Sequence, residues 1–152
     1  MNATFAMYQF EPRADLFKTV KDQKVVALIG VVDDDESVRE SISSLLRSAG
    51  YQSVLFPSAE AFLASGVVEQ PDCLVLDVKM TGLSGLELQQ RLFEVKRPKP
   101  IVFVTGHADD EVRDKALKQG AVAFLNKPFS DEDLLGAINS ALHPPRQGID
   151  RI

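Results

Sequence analysis

The fold is decided by the stretch Val25-Val26-Ala27-Leu28-Ile29-Gly30-Val31-Val32-Asp33-Asp34-Asp35-Glu36. Eight uncharged, largely β-branched residues are followed at once by four acids. The run is too short for a helix and reads as a strand. It is apolar nearly throughout rather than alternating, the mark of a strand buried on both faces, as in the middle of a parallel sheet. The acids then fall at the carboxyl end of that strand.

Further short apolar runs appear at Ser53–Phe56, Cys73–Leu76, Ile101–Val104 and Ala121–Leu125. Four of the five runs are apolar nearly throughout. The segments between them carry helical spacing. Val38, Ile42, Leu45, Leu46 and Ala49 share one face of a helix that Gly50 can end. Ser58 caps a shorter helix marked by Ala59, Phe62 and Leu63. Ser84 and Glu87 form a capping box before the face of Leu88, Leu92 and Val95. Val112, Ala116 and Leu117 mark a fourth helix ending near Gly120. Ser130 caps a fifth, carrying Leu134, Leu135, Ile138 and Leu142. A strand–helix unit repeated five times predicts an α/β fold, a doubly wound parallel five-stranded sheet with helices on both faces.

The rest of the chain sets limits. Its 152 residues are 45% hydrophobic and 26% charged, with a formal charge of −5. These proportions suit one globular domain and argue against disorder. The net charge does not favour nucleic-acid binding by this segment. No apolar run approaches the roughly 20 residues of a membrane span. The single cysteine, Cys73, cannot form an internal disulfide or a zinc cage, reads as buried packing, and fits a reducing cytoplasmic setting. Residues 1–24 read as an N-terminal extension with Phe5, Tyr8, Phe10 and Phe17 but no sustained period, and Pro12 to Val20 could form a short helix. Residues 25–143 form the domain, and 144–152, opening on Pro144-Pro145, are a tail or linker stub.

The chemistry gathers at the strand ends. Strand one runs into Asp33, Asp34, Asp35 and Glu36, strand three into Asp77, strand four into Thr105 and strand five into Lys127-Pro128. In an open α/β sheet these positions share the edge where ligands bind. The residues converge into a crevice holding at least three carboxylates, a hydroxyl and an ammonium, and Asp35 and Glu36 also suit the start of the first helix. Carboxylates crowded together need a cation or raised pKa values. Hard oxygen donors suit Mg²⁺, which takes one or two carboxylates together with phosphate oxygens. A carboxylate aimed at a metal-clamped phosphorus can act as a nucleophile.

The segments Val31-Val32-Asp33-Asp34, Leu74-Val75-Leu76-Asp77, Val104-Thr105-Gly106 and Lys127-Pro128-Phe129 resemble a bacterial two-component response-regulator receiver domain. The resemblance covers about Val25 to Leu142, and Val104-Thr105-Gly106-His107 with Gly120-Ala121-Val122 is nearest the FixJ-like branch. It implies a CheY-like, flavodoxin-like strand order of 2-1-3-4-5. It implies that Asp77 is the phosphoacceptor, taking phosphate from a histidine kinase or phosphotransfer protein. Asp33, Asp34, Asp77 and the Lys79 backbone carbonyl are implied ligands of Mg²⁺, or of Mn²⁺ in its place. Thr105 is the implied switch hydroxyl, Phe124 the aromatic that moves with it, Lys127 the phosphate partner, and Lys127-Pro128 a cis peptide. A homodimer on phosphorylation is a further expectation, and no membrane partner is.

Thr81 departs from the family pattern, which usually has proline after the residue corresponding to Met80. Lys79 and His107 stand at the mouth of the expected site, where they are expected to tune the lifetime of the phosphoryl group. Three other functions compete with the receiver. A Mg²⁺-dependent phosphohydrolase with an aspartyl nucleophile commonly has an acid two residues after the nucleophile, where this chain has Lys79. An FMN carrier would meet three repelling aspartates after strand one. A degenerate docking module would not need the full residue set. His143 reads as a surface residue on the last helical turn.

Overall fold

The computed structural model describes residues 26–107 and 109–144. The expected N-terminal extension, with its helix over Pro12 to Val20, and the tail after Pro144 lie outside the described residues. Five parallel strands, β1 (Leu28–Val32), β2 (Gln52–Phe56), β3 (Cys73–Asp77), β4 (Ile101–Thr105) and β5 (Ala123–Asn126), form one sheet in the order β2-β1-β3-β4-β5. They alternate with helices α1 (Glu36–Ser48), α2 (Ala59–Leu63), α3 (Gly85–Glu94), α4 (Asp110–Lys118) and α5 (Asp131–Leu142). This is the doubly wound α/β architecture that the alternation predicts.

The period of two along each strand divides the core between two faces. Ile29, Val31, Cys73, Val75, Val102 and Val104 pack with Ile42 and Leu46 of α1 and Leu134, Ile138 and Ala141 of α5. Leu74, Leu76, Ile101 and Phe103 pack on the other face with Phe62 of α2, Leu88 and Leu92 of α3 and Ala116 of α4. Each fully buried Leu, Ile or Phe contributes on the order of 2 kcal/mol. Each helix starts on a side-chain cap: Asp35, Ser58, Ser84, Asp109 and Ser130 each accept a hydrogen bond from a first-turn amide. The Ser84–Glu87 capping box is complete.

Several boundaries differ from the sequence reading. β1 begins at Leu28, where pairing with Gln52 begins, and Val26 is exposed. β5 begins at Ala123 because the Ala121 amide is spent on the Ala116 carbonyl, closing the end of α4. β3 and β4 each run one residue further, so Asp77 and Thr105 sit within the ladder, paired with Val104 and Asn126. Three strands rather than four are central. β2 and β5 are edges, and β5 is only half-buried. Val95, expected on the buried face of α3, is 62% exposed and follows the helix as its C-cap. Ala49 likewise caps α1 and is exposed.

Gly30 and Gly85 are required by close approaches. A Cβ at Gly30 would meet the Leu74 side chain at 2.7 Å, across the β1–β3 pair. A Cβ at Gly85 would collide with the Asp77 carbonyl oxygen. Gly85 also donates its N–H to the Val78 carbonyl at 2.9 Å, so the first turn of α3 is seated directly on the end of β3. Among the described residues, no helix is long and apolar enough to cross a membrane.

Candidate functional site

The carboxyl ends of β1, β3, β4 and β5 open into a cleft of about 320 Å³ lined by Asp33, Asp34, Asp77, Lys79, Thr105, His107 and Lys127 among others. The fold forces this convergence. Parallel strands with right-handed crossovers leave all their carboxyl ends on one edge.

Asp33 is 1% exposed at the end of β1. Its carboxylate accepts a hydrogen bond from the Asp35 amide at 2.9 Å, and its carbonyl accepts one from the Arg39 guanidinium at 2.7 Å. Asp34 is exposed and accepts from the Thr81 amide at 3.4 Å. Asp35 turns away to cap α1, bonding the Ser37 amide and hydroxyl. The Ser37 hydroxyl bond is the chief reason its carboxyl lies below the usual range. Asp77 ends β3, 6% exposed, with the Lys79 amide donating to Oδ1 at 3.3 Å.

Lys127 holds the acids together. Its Nζ lies 2.9 Å from Asp33 Oδ2 and 3.5 Å from Asp77 Oδ2. The Lys127 amide donates to the Thr105 carbonyl at 2.7 Å, extending the β4–β5 ladder by one bond and aiming the side chain at the cleft. The Lys127-Pro128 peptide is cis. Burial works against the Lys127 charge, but the hydrogen bond and attraction of Asp33, and then Asp77, outweigh it and raise its pKa. Burial first, and repulsion from Asp33 second, push the Asp77 carboxyl up to about 6 against the opposing pull of Lys127 and the Lys79 amide.

Asp33, Asp34 and Asp77 each offer an oxygen, and these oxygens all lie within 4.8 Å of one another. An all-oxygen set of carboxylates fits a hard divalent cation. Burial first and the Asp33 charge second raise the Asp77 pKa, and a cation held between the acids would oppose both.

Thr105 is buried, and its hydroxyl is engaged with the loop after β4, 3.3 Å from the His107 carbonyl and 3.4 Å from the His107 amide. Lys79 and His107 are both exposed at the rim. Phe124 does not line the cleft. It is half-buried on β5, its ring centroid 5.8 Å from that of Phe103 on β4. Cys73 is buried, which pushes its thiol up to about 12 and keeps it inert. His143 is exposed after α5.

Two supports were not found from the sequence. Arg39 bonds the Asp33 backbone. Glu60, on the first turn of α2, accepts from the Leu83 amide at 2.8 Å, which holds its carboxyl below the usual range and ties α2 to the loop after Asp77. Arg39 follows Asp33 by six residues and could have been found as a first-turn side chain reaching back to a strand end. Nothing in the sequence links Glu60 to a loop 23 residues away.

Comparison with known proteins gives the same neighbourhood. The family model described as "Response regulator receiver domain" matches residues 29–139. Response regulator protein TmoT of Ectopseudomonas mendocina is 47% identical over 123 residues, 81% of this chain and 55% of that protein. Transcriptional regulatory protein FixJ of Bradyrhizobium diazoefficiens is 45% identical over 114 residues, 75% of this chain and 56% of that protein. The crystal structure of FixJ-N superposes with a TM-score of 0.72 at 36% identity, covering 80% of this chain and 98% of that one. The chain spans about half the length of the curated relatives it matches.

Proposed function

The chain belongs to the response regulator receiver domain family, and from that premise we propose that Asp77 is its phosphoacceptor and that phosphorylation of Asp77 switches the domain between two states. One geometric fact supports this most directly: the buried Asp77 carboxylate lies in a cleft with two further aspartates and within 3.5 Å of the Lys127 ammonium. An Asp77 oxygen attacks the phosphorus of a phosphohistidine on a histidine kinase or phosphotransfer protein. The O–P bond forms as the N–P bond breaks, and the departing imidazole takes up a proton.

Asp33, Asp34, Asp77 and the Lys79 carbonyl would hold Mg²⁺, or Mn²⁺, which neutralises charge on the transferring phosphoryl oxygens when bound. Lys127 moves its ammonium from Asp33 toward a phosphoryl oxygen, a charge-assisted bond stronger than a neutral one. The Thr105 hydroxyl, now turned to His107, swings to donate to another oxygen. The space it leaves lets Phe124 move inward beside Phe103 on the same face of the sheet. Local charge thus biases a two-state element. Lys79 and His107 at the rim control the approach of the water that hydrolyses the phosphoryl group. The phosphorylated state controls an output or a partner, with homodimerisation as one route.

The phosphohydrolase alternative gains no support, since an exposed Lys79 stands where its second acid belongs. Treatment with acetyl phosphate and Mg²⁺ followed by intact-mass measurement tests the proposal. The parent is expected to gain one phosphoryl group and Asp77→Asn none. Equal gain by both, or catalytic release of phosphate over many turnovers, overturns it.

A further inference from the structure

The end of the molecule opposite Asp77 carries a second surface. Phe93 and Val95 are 67% and 62% exposed, the most exposed large hydrophobic residues among those described. They mark the carboxyl end of α3, and Phe93 stands between two grooves of about 200 and 210 Å³ that share Gln89, Phe93 and Gln119 and run between α3 and the end of α4. Gln89, 5% exposed, lines both. Its Nε2 donates to the Ala116 carbonyl, while its Oε1 is buried without a hydrogen-bond partner among the described residues. A buried acceptor left open beside a groove is costly unless something donates to it.

The charge here runs against that of the whole molecule. Between Arg91 and Lys99 four basic residues meet one acid, Glu94, in a chain whose net charge is −5. Lys99 is committed to the Glu69 and Pro71 carbonyls, and Arg97 to the Glu69 carboxylate. Lys96 and Lys118 make no ion pair among the described residues, and Lys118 lines the first groove, whereas Arg91 lines neither groove and its charge acts on Glu60 of α2. Lys96 adopts a left-handed backbone, φ 60°, at the turn after α3 where glycine would be unstrained, so a basic side chain stands at a position that glycine would fill at lower cost.

We propose that the α3–α4 groove around Phe93 is a docking site for an acidic segment of a partner protein bearing one or two large apolar side chains. The apolar side chains fill the grooves on either side of Phe93, the acids meet Lys118 and Lys96, and a donor on the segment reaches Gln89 Oε1. This is the helix-in-groove type of recognition, with charge complementarity selecting the partner. The chain's own ends have the wrong sign: residues 1–24 carry four basic and three acidic side chains, and 144–152 carry two basic and one acidic. α3 spans about 15 Å from Gly85 beside Asp77 to Glu94, so the site is separate from the phosphorylation cleft and its occupant need not displace a kinase.

The test is fluorescence anisotropy of the unphosphorylated full chain against a panel of labelled peptides of about four helical turns, with Leu or Phe on one face and Asp or Glu on the other. A twin panel has Lys in place of the acids. Saturable binding of an acidic peptide is expected, weakened about tenfold or more by Phe93→Ser and by Lys118→Glu and retained by Asp77→Asn. Both groove substitutions are at exposed positions, and their thermal melts check that the fold persists. Four outcomes overturn the proposal: no saturation by any acidic peptide to millimolar concentration, equal binding of the basic twins, indifference to both groove variants, or preference for anionic-lipid vesicles or duplex DNA. Self-association lost in Phe93→Ser would reassign the face to a second copy of the chain. The measurement needs no phosphoryl transfer, so its failure and that of the phosphoacceptor reading are distinguishable.

Discussion

Lys127 Nζ lies closer to Asp33 Oδ2, at 2.9 Å, than to Asp77 Oδ2, at 3.5 Å. The ammonium therefore rests on the carboxylate that holds the least solvent and is within a short swing of Asp77. Replacing it strands two buried acids. Lys127→Met is expected to lose about 1–2 kcal/mol at pH 7, below the usual cost of breaking a buried pair because part of the lysine is exposed. The sign with pH follows from the raised Lys127 pKa. A group whose folded pKa exceeds its unfolded value contributes stability that is complete below the unfolded value and is lost as pH rises through the folded one. The gap between parent and variant in urea melts should therefore hold through neutral pH and narrow only above about pH 10.

Asp77 has a linkage of the same sign in a lower pH window. Its carboxyl is pushed up to about 6 by burial and by Asp33, so the folded state prefers the protonated form. Stability is lost as pH rises from the ordinary aspartate range through about 6, and the full cost is present at pH 7. Asp77→Asn removes the charge and keeps the shape. Without divalent metal it should be more stable than the parent by about 1–2 kcal/mol at pH 7, allowing for partial solvent screening of a shift worth roughly 3. The advantage should fade below about pH 4. Added Mg²⁺ should raise the melting temperature of the parent more than that of the variant, because a cation that binds only the folded state stabilises by mass action.

Gly85 couples the strand end to helix α3. A methyl group there collides with the Asp77 carbonyl oxygen, which belongs to the backbone and cannot move aside cheaply. Phe103 Cε1, 3.1 Å away, crowds the same space. Gly85→Ala is expected to cost about 2–3 kcal/mol, as overpacking does, and to slow phosphorylation of the protein that still folds. Gly136, where a Cβ meets nothing within 4 Å, is the control. Gly136→Ala in the middle of α5 should be neutral or stabilising by up to about 1 kcal/mol, since glycine is the poorer helix former. Urea denaturation of both variants checks the pair.

The contrast between these residues shows what was legible in advance. A strand buried on both faces has to be apolar throughout, so β1, β3 and β4 announce themselves, and acids placed directly after such runs must lie at the sheet edge. Ser58, Ser84 and Ser130 were readable as caps, and Asp35 as a helix start, because a capping side chain acts within three residues of itself, whereas the Asp109 cap was missed. Distances across the sheet were not. That Asp33 receives the shorter bond from Lys127 depends on two loops 94 residues apart. Val95 fits the apolar stripe of α3 by spacing, but the helix ends one residue earlier and leaves it in solvent. Phe124 follows the apolar pattern of β5, and its register opposite Phe103, two residues short of the Thr105 level, keeps it off the cleft.

Lys79 and His107 make a last separable prediction. Both are exposed, and both line the cleft that holds Asp77. Neither ion pairs with the aspartates among the described residues, so truncating either should leave folding within about 0.5 kcal/mol of the parent. If they govern the path of the hydrolytic water, Lys79→Ala and His107→Ala should each change the lifetime of the phosphoryl group by roughly threefold or more, equivalent to about 0.7 kcal/mol in the barrier. Loading with acetyl phosphate, rapid desalting and timed intact-mass measurement give the rate directly. Unchanged decay in both variants would place control of the water elsewhere in the cleft. Thr105, buried in the same cleft with its hydroxyl bonded to the His107 backbone, would then be next to test.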